Sequence, residues 1–522
     1  MPDLTPEEFR RLGHEVVDWV AGYRERLEDL PVRSEAEPGW VRGSLPDELP
    51  EHPQPLSALL ADMDEIVVPG TTHWQHPSFF GYFPANASLA SLLGELLSSG
   101  LGVQGMLWST SPAATELEQH LLDQLAVASG LGEAFTFGGG GGGVIQDSAS
   151  SAALAALLAA LHRGSSGWRE SGTDGLETAY VSPETHSSLA KAVRIAGLGA
   201  DALRVVGTEP GTTAMSADAL SATLATDVGS GRKPVLVCAT VGTTGTGACD
   251  PVRSIASACV EHGAWLHVDA AWAGAAALCP ELRGPFDGIE LADSYCADAH
   301  KWLLTAFDAS ILWTRHGTAL PDALSVTPEY LRNAATESGE VVDFRDWHVP
   351  LGRRFRALKL WAVLRCLGME GVREHVRSHV AWAAELAQWV RADPGFELAA
   401  EPSLALVCLR VRTGRGPQAD DEASRAVLER VNASGAAMLT HTRVAGRYLV
   451  RVAIGSVGTQ RRHVVALWDL VRATAAEVTT SPAATGSPGD TDQPLLDHGD
   501  DQVRVPGEEA PGRQPPGPRG RR

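Results

Sequence analysis

Between about residues 88 and 330, short apolar runs (TAYVS, ALRVV, PVLVCAT, WLHVDAA, SYCADA, ASILWT) alternate with stretches of helical spacing such as HSSLAKAVRIAGL and PVRSIASACVEHG. This strand-helix repetition predicts an α/β unit with a mostly parallel sheet, in which ligands gather at the carboxyl ends of the strands. Ahead of it, Phe9, Leu12, Val16, Trp19, Val20, Tyr23 and Leu27 recur at helical spacing behind Thr5, Pro6 and Glu8. Those three residues form a helix-start signature. The proline- and acid-rich AEPGWVRGSLPDELPEHPQP cannot prolong that helix and is expected to run extended over a surface. After residue 358 the pattern predicts two helices within LKLWAVLRCLGMEGVREHVRSHVAWAAELAQWV, strands in LALVCLRV and RYLVRVAIG, and a last helix over 459–478. From Thr479 onward Pro, Gly, Ser and charge dominate, which predicts a disordered tail with no catalytic duty. The expected division is therefore 1–87, 88–358, 359–478 and 479–522.

Composition narrows the function. The 522 residues carry a formal charge of −21, which disfavours nucleic acid or an anionic membrane as the main ligand and leaves small molecules. Seven scattered cysteines with no C-x-x-C pair suit reduced thiols. The opening residues lack a charged-then-apolar export layout, and the most apolar run, SAALAALLAAL, is too short to span a bilayer. A cytoplasmic protein is expected.

Several polar residues interrupt the apolar pattern where chemistry needs them. Lys301 in SYCADAHKWLLTAFDAS stands between runs that read as buried, although lysine is seldom buried without compensation. A lysine amine in a crevice at a strand end can condense with an aldehyde. Asp269 ends the apolar strand in WLHVDAAWAG, where a carboxylate is a turn residue or, in the company of Lys301, a functional one. In FGGGGGGVIQDSASSAALAALLAALHR the glycines and the Ser148-Ala149-Ser150 helix start suggest an anion site, against the plain reading of a flexible polyglycine loop. No Gly-Lys-Ser/Thr follows, so this is not a Walker A loop. An imine-forming lysine, a phosphate cup and an aspartate for a pyridinium nitrogen are the requirements of pyridoxal phosphate. His186, between a strand and a helix, either caps that helix or stacks on a cofactor ring; Thr244 either bonds the cofactor or shapes a turn.

In combination, FRRLGHEVVDWVAGY, VVPGTTHWQHPSFFGYFPANAS, SPAATELEQHLLDQL, GGGVIQDSASSAALAALLAA, THSSLAKA, HVDAAWAG, DAHKWLL and VPLGRRFRALKLW resemble the group II pyridoxal-phosphate-dependent decarboxylases. Within these, the likeness is to the aromatic-L-amino-acid decarboxylases, and it runs from about residue 5 to 475. It implies the PLP-dependent fold type I (aspartate-aminotransferase-like): a homodimer with an active site at the subunit interface, a seven-stranded sheet and a small C-terminal α+β domain. It implies Lys301 as the cofactor lysine, Asp269 as partner of the pyridine nitrogen, His186 on the ring, and Thr244 and Ala271 as further cofactor contacts. Ser148, Ala149, Ser150 and His300 are implied around the phosphate, with Asp298 where many relatives carry Asn. A carboxylate there repels the phosphate unless turned away or protonated. Tyr330, in the loop PEYLRNAATESGEVVDFRDW, matches a tyrosine that protonates the substrate carbon, where aldehyde-forming relatives tend to have phenylalanine. The implied substrate pocket holds Trp74, Tyr82, Phe83, Pro84, Ala85, His186, Trp272 and Gly352, with Gln104 and Met106 from the other subunit.

The pocket so implied is apolar with few hydroxyl donors, and Gly352 leaves room for an indole. Tryptophan is the favoured substrate, with phenylalanine, tyrosine and dihydroxyphenylalanine as alternatives. The rival readings are a decarboxylase of glutamate, diaminobutyrate or histidine, an aromatic aldehyde synthase, and a nucleotide-binding regulatory protein. No metal is expected.

Overall fold

All six apolar runs form strands, joined by a seventh that the pattern did not announce. The structure, a computed structural model, describes residues 4–165, 167–326 and 334–480. The strands are β1 (Gly142–Gln146), β2 (Glu177–Val181), β3 (Leu203–Val205), β4 (Lys233–Thr240), β5 (Trp265–Asp269), β6 (Ser294–Asp298) and β7 (Ser310–Thr314). They lie in one sheet in the order β1-β7-β6-β5-β4-β2-β3. The pairs β2–β3, β2–β4, β4–β5 and β5–β6 are parallel, and β7 runs antiparallel to both β6 and β1. β5 and β6 are buried at every position, as a sheet covered on both faces requires. The alanine-rich helix Ala149–Gly164 lies across β4 to β7, its Ala152, Ala155, Ala156, Ala159 and Ala160 small enough to let it sit close on the strands.

Register decides what the sheet presents at one edge. Thr240, Asp269 and Cys296 are paired neighbours across β4, β5 and β6. Two residues beyond Cys296, Asp298 pairs with Ser310, which in turn pairs with Gln146 at the end of β1. Five strands thus bring polar residues to the same edge.

A second, antiparallel sheet of β8 (Phe396–Leu398), β9 (Leu406–Val411), β10 (Thr440–Val444) and β11 (Arg447–Ala453) has the order β10-β11-β9-β8. Helices Pro417–Ala433 and Arg461–Thr480 pack together beside it. The last helix continues to Thr480, two residues into the segment expected to be a tail; residues 481–522 lie outside the described residues. Helix Arg356–Ala392 breaks at Gly368 (φ 65°, ψ 167°), which accounts for the two helices read from its sequence. The opening helix Pro6–Glu25 has the expected capping box: Thr5 Oγ1 accepts the Glu8 N–H (3.2 Å), and the Thr5 N–H donates to Glu8 Oε2 (2.8 Å). None of that helix's residues is buried in the single chain. Among the described residues no helix is long and apolar enough to cross a membrane.

The polyglycine run corrects the sequence reading. Its last two glycines open β1, so the loop lies at the far end of that strand from the helix start at Ala149 and cannot cradle the same anion. The glycines serve close packing instead. A Cβ at Gly141 would come within 2.2 Å of the Ala134 carbonyl oxygen and 2.5 Å of the Thr314 carbonyl oxygen; at Gly143 it would meet the Trp313 ring at 2.7 Å.

Backbone obstacles cannot rotate away, so Gly141→Ala is expected to destabilise the protein by about 1–3 kcal/mol. Gly138→Ala, where nothing lies within 4 Å, should be near neutral. Thermal unfolding of the two variants checks this, and equal midpoints would remove the packing role of the run.

Candidate active site

The polar strand edge converges on Lys301. β6 ends at Asp298, and the next residues turn sharply, with the Lys301 N–H donating to the Asp298 carbonyl (3.2 Å). The Asp298 N–H is itself held by the Ala271 carbonyl (2.7 Å), which ties this turn to the end of β5. Lys301 Nζ lies 2.8 Å from Asp298 Oδ2. Burial works against the Lys301 ammonium, and the combined pull of Asp298, Asp269 and Cys296 outweighs it, so its pKa lies above the ordinary lysine value. Burial likewise opposes ionisation of Asp298, and Lys301 and His300 overcome it, holding that carboxyl well below the usual range. Asp298 is therefore turned to the lysine.

Asp269 is fixed from two sides. Its Oδ1 accepts the Ala271 N–H (2.9 Å) and the Cys296 thiol (3.6 Å). A buried carboxylate with only these donors has capacity for a cationic partner. Further along the edge, Ser148 caps the Ala149–Gly164 helix by accepting the Ser151 N–H (3.3 Å). The Ala149 and Ser150 N–H groups at that helix start have no intrahelical acceptor, which is the setting for a phosphate.

Facing Lys301 is an apolar cleft lined by Phe83, Pro84, Trp272, Trp302, Ile454 and Gly455. The Phe83 and Trp272 rings stack with centroids 4.0 Å apart and an 8° interplanar angle. Trp272 is pinned by its Nε1–H, which donates to the Gly242 carbonyl (2.6 Å). Behind Phe83 the Arg451 guanidinium lies 5.4 Å from the ring centroid, bonded to the Gly245 carbonyl and Thr440 Oγ1.

Other residues singled out in the sequence are distributed around this centre. His186 is exposed at the start of helix Ser187–Ile195, where its Nδ1 accepts the Ser188 N–H (3.2 Å). The capping role is thus present. Thr244 is exposed in the loop after β4. Trp74 stacks on Tyr82 with centroids 5.5 Å apart, and the Ala85 carbonyl accepts from Gln75 Nε2. Gly352 neighbours the Gln104 side chain, whose Oε1 takes the N–H groups of Met106 (2.9 Å) and Arg353 (3.1 Å). Gly352, Gln104 and Met106 therefore form one group within the chain, separate from the residues lining the Lys301 cleft. Tyr330 lies outside the described residues.

Sequence reasoning missed the residue that holds the lysine loop in place. Asn86 donates through Nδ2 to the carbonyls of Lys301 (2.7 Å) and Gly455 (2.8 Å), accepts the Val457 N–H on Oδ1 (2.7 Å), and donates its own N–H to the His300 carbonyl (2.7 Å). It joins the first sheet's loop to the chain leaving β11. Only a polar residue inside the apolar stretch GYFPANAS hinted at it. Glu184 was also missed: burial, and then Asp250, push its carboxyl up to about 7 despite Arg451.

The arrangement fits pyridoxal phosphate on features of its own. Lys301 faces the cleft, an aspartate ends the neighbouring strand, and a helix start without intrahelical acceptors stands on the same edge. Thr240 Oγ1 and Asp298 Oδ1 are buried there without hydrogen-bond partners among the described residues.

Comparison with known proteins agrees. Residues 38–412 match the family described as "Pyridoxal-dependent decarboxylase conserved domain". A phenylacetaldehyde synthase of Arabidopsis thaliana is 44% identical over 477 residues, covering 90% of this chain and 96% of that protein. Tryptophan decarboxylase 2 of Oryza sativa subsp. japonica is 42% identical, covering 91% and 96%. The solved structure of Oryza sativa TDC with PLP and tryptamine superposes with a TM-score of 0.88 at 38% identity, over 92% of this chain and all of that one. The rival of a regulatory protein without chemistry falls away, and the chain belongs to the pyridoxal-dependent decarboxylases, enzymes whose cofactor is pyridoxal phosphate.

Proposed function

We propose that this enzyme removes the carboxylate of an aromatic L-amino acid, tryptophan above others, to give the arylalkylamine and carbon dioxide. The observation that carries the reading is the apolar lining of the cleft at Lys301, in which Phe83, Trp272 and Trp302 take part. An apolar lining rich in aromatic side chains suits an apolar aromatic substrate. Lys301 is the cleft's only charged lining residue among those described, which disfavours glutamate or diaminobutyrate.

When bound, the cofactor supplies an electron-poor ring that accepts the electron pair left by the departing carboxylate. Each protein group then has a task. Lys301 tethers the cofactor, and the Ala149 helix start with Ser148 and Ser150 holds its phosphate. Asp269 keeps a proton on the ring nitrogen, because an adjacent anion raises proton affinity there. His186 supports the ring face, and Thr244, Ala271 and His300 complete the cofactor contacts. Phe83 and Trp272 orient the substrate ring and exclude water. Tyr330 delivers a proton to the substrate carbon, which directs the reaction to the amine. The division at residues 87, 358 and 478 and a cytoplasmic location belong to the same reading.

A homodimer is part of this proposal. Leu93, Leu96, Leu97 and Leu101 on helix Leu89–Leu101 are each more than half exposed, as is Phe9 on the opening helix, an uncovered apolar surface of the kind that marks an interface. Gln104, Met106 and Gly352 then reach a neighbouring subunit's substrate together.

A second reading, aromatic aldehyde synthase, is favoured by the 44% identity to the phenylacetaldehyde synthase. Product analysis separates the two.

Lys301→Ala is expected to lower carbon dioxide release by more than about a thousandfold. Borohydride reduction of the yellow holoenzyme should leave a pyridoxyl group on the Lys301 peptide, and an unmodified peptide would refute the assignment. With tryptophan, phenylalanine, tyrosine and dihydroxyphenylalanine compared, kcat/KM should be highest for tryptophan. Tyr330→Phe should exchange amine for aldehyde and ammonia; undiminished amine would exclude Tyr330 from the proton transfer.

A further inference from the structure

The strand that delivers the cofactor lysine ends in a second carboxylate whose task differs from that of Asp269. Asp298 has 2% of its side chain exposed, and its Oδ2 is 2.8 Å from Lys301 Nζ and 3.5 Å from His300 Nε2. Its Oδ1 is buried without a hydrogen-bond partner among the described residues. His300 Nδ1 accepts the Ala309 N–H (3.1 Å), so the neutral ring carries its proton on Nε2, the nitrogen that faces Asp298.

This geometry leaves Asp298 poorly suited to hold a phosphate. The helix start that offers free N–H groups follows β1, and β7 lies between β1 and β6. At the usual strand spacing the backbone of Asp298 is then about 10 Å from the end of β1. A carboxylate would also repel the anion. Both objections vanish if its partner is the lysine.

We propose that Asp298 is the resident counter-ion of Lys301, a positioning residue that holds the lysine as an ammonium whenever its nitrogen is not bonded to the cofactor. That condition holds before the cofactor is captured and again in each turnover while the substrate amine takes the lysine's place. The inference rests on Lys301 as the cofactor lysine.

The physical need is plain. An ammonium released into a cleft of tryptophan and phenylalanine is costly unless an anion meets it there. Of the groups that face it, Asp269 on β5 takes the Ala271 N–H and the Cys296 thiol on Oδ1 and, among the described residues, makes no ion pair with Nζ. Cys296 on β6 is a buried thiol whose pKa lies far above the ordinary value, through burial first and then through Asp269 and Asp298. His300 Nε2 lies 3.5 Å from the same Asp298 oxygen. Asp298 alone among these acids touches Nζ. Its free Oδ1 fits this role too: with so few donors the carboxylate depends on the lysine charge, and the lysine on it. Since Nζ must shed a proton before it bonds to an aldehyde carbon, the pair sets the pH at which the cofactor is captured.

The test uses the full chain freed of cofactor by hydroxylamine and dialysis. Brief acetic anhydride labelling between about pH 6 and 11 gives the titration of each lysine by mass spectrometry, with exposed Lys191 as internal reference. In the unaltered protein Lys301 should titrate above Lys191. Asp298→Asn should move the Lys301 midpoint down by about one pH unit or more, a tenfold gain in label on the rising limb, with Lys191 unmoved. The pH profile of pyridoxal phosphate capture, read by tryptophan fluorescence, should shift by the same amount. Superimposable Lys301 profiles in the two proteins would overturn the proposal. So would a Lys301 that titrates below Lys191 in the unaltered protein, a result that needs no variant to fold. The labelling does not depend on the cofactor, so a missing pyridoxyl adduct would sink the functional reading separately.

Discussion

An ammonium with only 26% of its side chain exposed has to be matched by an anion in contact with it, and much of the sheet's carboxyl edge is arranged to meet that demand. The match depends on register. Parallel pairing of β5 with β6 places Asp269 beside Cys296, so the strand that carries the lysine also supplies the thiol that braces the neighbouring carboxylate. Two residues later the same strand supplies Asp298. A slip of one residue would send every one of these side chains to the other face of the sheet. The continuous burial of β5 and β6 between helices opposes such a slip.

Around this charged edge the walls are apolar, and the two features reinforce each other. Phe83 and Trp272 lie flat on one another, with Arg451 behind Phe83 and the Gly242 carbonyl fixing the indole. Removing water strengthens each electrostatic contact inside the cleft, because the local dielectric falls. The same removal raises the cost of an unpaired charge. Glu184, with its carboxyl pushed up to about 7, shows the effect on a group that has Arg451 near it but no lysine in contact. Asp298, with Lys301 at 2.8 Å, is driven the opposite way.

Much of this was legible in the sequence wherever one residue type had one physical meaning. β2 to β7 announced themselves as apolar runs between helical stretches, and Lys301 and Asp269 stood out because charge at a buried strand end needs a reason. β1 was hidden, because Gly142 and Gly143 carry no side chain to show a strand pattern. The phosphate-binding role assigned to the glycines failed for the same cause: their spacing resembles a loop, while the Thr314 carbonyl and the Trp313 ring that pack on them come from a distant part of the chain. Asn86 was invisible in a similar way. Its partners at residues 300, 301, 455 and 457 meet only after both sheets are formed. Gly352 and Gln104 were read as belonging to different subunits' contributions, and only packing shows that they lie side by side. Asp298 was read among the cofactor contacts, with the repulsion between a carboxylate and a phosphate noted, and its contact with Lys301 emerged only from the turn after β6.

The uncovered leucines and the lysine loop are mechanically one structure. Helix Leu89–Leu101 exposes Leu93, Leu96, Leu97 and Leu101 on one side, and on the other Ser91 Oγ accepts the Ala306 N–H (2.6 Å). The Ser88 N–H at its start donates to the Leu304 carbonyl (3.2 Å). Gly94 is packed so closely on Lys359 that a Cβ there would come within 2.6 Å of its Cα. The helix therefore cannot shift without pulling on the loop that holds Lys301 or on helix Arg356–Ala392. Pressure on the leucine face reaches the same element that steadies the lysine, so that face and the placement of Nζ are coupled through the two hydrogen bonds to Leu304 and Ala306. An exposed apolar helix face that also carries hydrogen bonds to the loop after Lys301 ties any change at that face to the position of Nζ.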